Sequence, residues 1–129
     1  MKNIKLLEVS HQKNRNGRRS PRIHLQGIWL RSIGFSENTV IFGEFTPNSI
    51  ILKAYGRGID RSNNFVKELR EDNLFISQVT AIKMNTTIVP IIHMAGDILE
   101  SNGFHIGDVI SLRYDDGIMT VKKVDTDIL

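Results

Sequence analysis

The chain has 129 residues, 40% hydrophobic and 24% charged, which suits one compact soluble domain or two small units sharing a core. It has no cysteine, so disulfides, thiolate nucleophiles and cysteine metal ligands are excluded. The net charge of +3 is spread unevenly: residues 1–35 hold eight cations against Glu8 alone, whereas residues 90–129 hold three against seven carboxylates. A basic front and an acidic back point to a polyanionic partner on one side.

In chain order, Met1 to Glu8 is basic but lacks the apolar stretch and small-residue cleavage site of a signal peptide. No apolar run approaches the roughly 18–20 residues that span a bilayer, so the expectation is a cytoplasmic protein without a membrane partner. Ile4 to Ser10 reads as a first strand. Lys13-Asn14-Arg15-Asn16-Gly17-Arg18-Arg19-Ser20 then sets four cations in a flexible Asn/Gly/Ser frame without an acid. Such an arm can fit itself to phosphates and release their counterions; a solvated, disordered charge run is the plainer alternative. From Pro21, inward Ile23 and Leu25 alternate with outward Arg22 and His24, the pattern of a short strand. Gly27 to Ile33 is a brief helix stopped at Gly34. Thr39 to Phe45 and Ser49 to Ala54 form a hairpin across Thr46-Pro47-Asn48-Ser49. Gly56-Arg57-Gly58 is a joint, and Ser62 to Glu71 a capped amphipathic helix with Phe65, Val66 and Leu69 on one side. Leu74 to Ile82 is a further strand.

From Pro90 the pattern returns. Sliding the chain by 69 residues aligns Pro21-Arg22-Ile23-His24 with Pro90-Ile91-Ile92-His93, and Gly34-Phe35 with Gly103-Phe104. Positions 21–41 share ten of 21 identities with their counterparts, so residues 21–54 and 90–123 are two copies of one unit. A turn differing by one residue is expected between the copies' hairpins, Ile50 to Lys53 matching Met119 to Lys122 or starting at Ile118. The second helix runs from Gly96 to Asn102, and the second hairpin joins Asp108–Tyr114 to Gly117–Val124. The organisation expected is a first repeat with a basic arm over 1–56, a linker with a short helix over 57–73, and a second repeat over 74–129. Some 50 residues bury too little surface to stand alone, so the copies should share one core.

The string Pro-x-Ile-x-Leu/Met-x-Gly-x-x-Leu-x-x-x-Gly-Phe, followed by a hairpin containing valine, resembles the SymE-like toxin family, relatives of the AbrB/MazE swapped-hairpin fold. Pro21, Ile23, Leu25, Gly27, Trp29, Leu30, Gly34, Phe35 and Val40 carry it in the first copy. Pro90, Ile92, Met94, Gly96, Leu99, Gly103, Phe104, Gly107, Asp108 and Val109 carry it in the second, where Ile98 replaces the tryptophan. The resemblance covers about half the chain and consists mostly of structural residues. It implies a mainly β fold with short helices, a swapped-hairpin β-barrel that two internal repeats complete as an intramolecular pseudo-dimer.

The nucleic-acid-binding residues expected are Lys13, Arg15, Arg18 and Arg19, with Arg22 and Arg31 added by the resemblance; the second copy has Ile91 and Glu100 in the last two places. RNA or DNA is the expected partner, with further self-association or a protein partner as additions. The family's association with RNA cleavage makes a metal-independent endoribonuclease the enzyme alternative. His24 beside Arg22 is its candidate catalytic group, since such cleavage needs an acid, a base and a cation near the phosphate. His93 repeats it and would approach His24 about a pseudo-twofold; a packing histidine is the other reading. His11 lies in the arm. His11, His24, His93 and His105 show no metal-ligand spacing, and no cofactor or metal is expected. An antitoxin-like or scaffold interaction module, docking through the acidic second half, is the remaining alternative.

Overall fold

Alternating apolar and polar residues build strands along most of the chain. The computed structural model describes residues 3–55 and 74–124; the expected joint at Gly56–Gly58 and helix at Ser62–Glu71 lie outside them. In order, the elements are β1 (Asn3–Glu8), β2 (Ser10–Lys13), β3 (Arg19–Gln26), α1 (Trp29–Ser32), β4 (Val40–Thr46) and β5 (Ser49–Tyr55). The second half gives β6 (Leu74–Gln78), β7 (Thr80–Met84), β8 (Thr87–Ala95), α2 (Asp97–Ser101), β9 (Val109–Asp115) and β10 (Ile118–Lys123). The fold is mainly β, and no helix among the described residues is long and apolar enough to cross a membrane.

Two antiparallel sheets result, one ordered β1-β9-β10-β5-β4-β6 and the other β2-β3-β8-β7. Each repeat's first strand lies on the other repeat's hairpin: β1 pairs with β9, with Leu7 opposite Ile110, and β6 pairs with β4, with Ile76 opposite Phe42. In the middle of each sheet one residue faces its own counterpart from the other repeat. These pairs are His24 with His93 and Ile51 with Thr120, and they mark an approximate twofold axis through both sheets.

Three expectations are corrected. The closed barrel is not formed; the sheets remain separate and are joined by the chain at two corners. The strands expected at Ile4–Ser10 and Leu74–Ile82 each break into two, at Val9 and Val79. There the side chain turns into the core and the N–H leaves the strand ladder for the carbonyls of Asp108 (2.8 Å) and Thr39 (2.9 Å). The two hairpin turns do not differ in length: Pro47-Asn48 and Asp116-Gly117 are both two-residue loops, and Ile50 matches Met119. Asn48 and Gly117 both take a positive φ, which is why asparagine serves where the second copy has glycine.

The core fills the space between the sheets. Ile23, Leu25, Ile92 and Met94 face Ile50, Leu52, Leu112 and Val121, while Phe35 and Phe104 plug the chain exits after the helices with no exposed surface. Reciprocal backbone bonds tie each hairpin tip to the other repeat's helix end. The Gly117 N–H donates to the Ile33 carbonyl (2.6 Å), and the Asn48 N–H donates to the Asn102 carbonyl (3.0 Å). The tip approaches so closely that a Cβ on Gly103 would strike Asn48 Oδ1, and Gly103 already holds φ at +95°. Gly103→Ala should therefore cost about 1–3 kcal/mol, combining left-handed strain with the collision. A urea midpoint matching the wild type would show that the hairpin tip is not seated against the helix end.

Candidate nucleic-acid interface

The basic segment is a structured hairpin and not an arm. β2 and β3 pair from Ser10–Arg22 to Lys13–Arg19, and the loop between them is closed by its own backbone. The Asn14 N–H donates to the Arg18 carbonyl at 2.8 Å, and the Gly17 N–H to the Asn14 carbonyl at 2.9 Å. Asn16 Oδ1 accepts from the Arg18 N–H at 2.9 Å, the local bond that makes asparagine a turn residue. Gly17 supplies the positive φ, +82°, that turns the chain back.

Lys13, Arg15, Arg18 and Arg19 are all exposed on this hairpin. Among the described residues none of the four has a carboxylate within ion-pair reach. Arg22 lies farther along β3 and is half-buried; its Nε donates to Ser10 Oγ at 3.2 Å, and the Ser10 hydroxyl donates to the Arg22 carbonyl at 3.1 Å. Arg31 does not join them. It pairs with Glu37 and donates to the Ile88 carbonyl at 2.9 Å, near the start of β8. β3 and β8 run antiparallel, so that position lies beyond the far end of β3, an eight-residue strand about 25 Å long.

The equivalent hairpin of the second repeat, β7–β8, has the opposite character. It turns at Asn85-Thr86 and exposes Ile82, Met84 and Ile88, with Lys83 as its cation. One fold element thus presents charge at one end of the small sheet and apolar surface at the other.

Between these ends sit the two histidines. The ladder bonds Gly27 N–H to Pro90 carbonyl and Gly96 N–H to Pro21 carbonyl flank them at odd spacings, so His24 and His93 form a non-hydrogen-bonded cross-strand pair. In such pairs the side chains stand closest. Their rings meet edge to face, centroids 6.1 Å apart. His24 Nε2 lies 3.0 Å from Gln26 Oε1, and its Nδ1 is buried without a hydrogen-bond partner. A ring donating from Nε2 to that amide leaves Nδ1 a bare lone pair. His93 is exposed, yet partial desolvation, then the Arg22 guanidinium and then His24 hold it below its ordinary 6.5. The structure therefore gathers His24, His93 and Arg22, keeps Lys13, Arg15, Arg18 and Arg19 together at one tip, and sets His11 on the exposed side of β2. His105 stands apart, within 3.6 Å of Asp108.

Sequence reasoning missed an open cavity of about 220 Å³ whose lining draws on both sheets and on α2, including Phe45, Ser77, His93 and Ile98. A signal for it was present, the mismatch of Trp29 with Ile98 in the repeat alignment.

A depressed histidine pKa means that the unfolded chain binds the proton more tightly. His93 therefore favours the fold above pH 6.5, and that contribution fades as the pH drops below it. His93→Gln should show a shallower loss of the urea midpoint between about pH 7 and about pH 5; an unchanged loss would assign the acid limb to other groups. The chain matches no protein-family model, no curated protein and no solved structure.

Proposed function

We propose that the protein binds nucleic acid, RNA or DNA, through the β2–β3 hairpin, in a SymE-like toxin-type role in the cytoplasm. One observation carries this reading: four exposed cations stand on one ordered loop with no acidic partner among the described residues, and the symmetric hairpin lacks them. An ordered loop loses little conformational freedom when phosphates bind, so counterion release goes more fully into affinity. The exchange of β1 and β6 between repeats supports an AbrB/MazE-like swapped-hairpin arrangement, completed as a pseudo-dimer inside one chain. Basic character on one hairpin only makes the molecule a one-sided binder, unlike a twofold DNA reader.

Replacing Arg15, Arg18 and Arg19 together with alanine should weaken binding to duplex DNA and to single-stranded RNA alike. The slope of log affinity against log salt should fall by about 2 to 3, roughly 0.7–0.9 for each lost phosphate contact. An unchanged slope would move the interface elsewhere, and no binding by the wild type at low salt would favour the protein-interaction module.

The His24–His93 contact favours a second reading, metal-independent RNA cleavage. His93, kept neutral, would take the proton of a ribose 2′-hydroxyl as that oxygen attacks phosphorus. The bond to the 5′-oxygen would break, and the leaving oxygen would take a proton from the His24 ring, which for this step must carry protons on both nitrogens and would be left as neutral imidazole. Arg22 would offset the charge gathering on the phosphoryl oxygens. Under this reading His24→Ala and His93→Ala each abolish cleavage of a fluorescent RNA while binding persists. Cleavage surviving both changes would remove the pair from any mechanism.

A further inference from the structure

The approximate twofold relates two places that the sequence has filled differently. In the first repeat the Trp29 indole packs against the Tyr114 ring at 4.9 Å, beneath the Lys5 ammonium, and its Nε1 donates to the Gln26 carbonyl at 3.1 Å. Moving by 69 residues carries Trp29 to Ile98, Tyr114 to Phe45 and Gln26 to Ala95. These three line the cavity of about 220 Å³, together with Ser77 and His93. The second repeat thus leaves space where the first places an indole. Two polar residues, Ser77 and His93, are among those that border it, and the Ala95 carbonyl is the counterpart of the acceptor that takes the indole N–H.

We propose that this cavity takes one purine base of an unstacked nucleotide. A purine is the nucleic-acid group whose fused five- and six-membered rings match an indole in outline, and Phe45 and Ile98 supply the apolar walls. Its position fits a chain lying along the basic hairpin. Ala95 is the cross-strand partner of Arg22, and α2, which carries Ile98, packs against β3 at the end where Arg19 begins the strand. A strand whose phosphates follow Arg18, Arg19 and Arg22 delivers a base to the cavity, with His93 at its rim. The apolar hairpin stands at the opposite end, where Trp29 fills the corresponding space. The inference rests on the nucleic-acid reading for its ligand but has a test of its own.

Adenosine, which carries no phosphate, is titrated while the His93 imidazole proton signals are followed by NMR. Two variants borrow the first repeat's residues, Ile98→Trp and Ser77→Leu (Ser77 lies opposite Ile41 as Leu7 lies opposite Ile110), and a retained thermal midpoint shows that each folds. The expected result is a saturable shift of His93 with adenosine, a much weaker one with uridine, and loss of the adenosine shift in both variants. Oligo(A) RNA should then bind Ile98→Trp about tenfold more weakly, the size of one lost base contact, while oligo(U) RNA binds unchanged. An unmoved His93 in the wild type overturns the proposal, as does a shift that persists in both variants. Failure of oligo(U) to bind at low salt would sink the hairpin reading instead, and the adenosine result would still decide the cavity.

Discussion

Every backbone N–H and C=O that enters this core needs a partner, and neither repeat can supply its own. β1 leaves its own repeat to pair with β9, and β6 does the same with β4. The corners at Val9 and Val79 then redirect the chain into the second sheet, where β3 and β8 meet across the axis. The hairpin tips close the arrangement by reaching the other repeat's helix end, Gly117 to Ile33 and Asn48 to Asn102. An unpaired buried amide costs about as much as the net gain from several good ones, so these reciprocal bonds act as a set. Each repeat completes the other, and half the chain alone would leave a strand edge and an apolar face uncovered.

Within that shared scaffold the two halves are free to differ wherever a side chain points away from the core. Ile23 and Ile92, Leu30 and Leu99, and Phe35 and Phe104 keep both position and burial. Arg22 and Ile91, Arg31 and Glu100, and Trp29 and Ile98 do not match. The divergence is therefore concentrated on the outer face of the small sheet, on the helices and on the hairpin tips. Basic loop and cavity belong to this divergent set; His24 and His93 do not, being the same residue on the axis itself. A residue on a twofold axis meets its own copy, so conserving one type there produces a like pair at contact distance.

Much of this was legible in the residues. Glycine at the helix ends and the turn residues at 46–49 and 115–117 located both helices and both hairpins within a residue or two, and alternation from Pro21 and Pro90 found β3 and β8, which begin two and three residues earlier, at Arg19 and Thr87. The resemblance to a swapped-hairpin family gave the right secondary-structure class, but its barrel did not form, because closure depends on where ladders stop and not on which residues alternate. The splits at Val9 and Val79 were hidden for a similar reason: valine favours strands, and nothing local marks the corner that its buried side chain turns. The loop at Asn14–Arg18 read as a flexible arm because its order comes from Asn16 and Gly17 acting on the backbone, while charge dominates the composition. At the site, the approach of His24 to His93 followed from the repeat plus an assumed axis. The separation of Arg31 did not, since helix α1 and the basic loop lie at opposite ends of a strand whose length no motif records.

The pairing of β1 with β9 also sets the order in which the chain can fold. Asn3 finds Tyr114 only after more than a hundred intervening residues have been made. At synthesis rates of about 5–20 residues per second, the first strand waits about 5–20 s for its neighbour. Through that interval Ile4, Leu6 and Leu7 are exposed on an unpaired edge, and such non-local pairing is slow even in the full-length chain. Two nascent or refolding chains at high concentration can each lend a first strand to the other's completed hairpin. The same ladder would then form between molecules, and the yield of monomer would depend on protein concentration during folding.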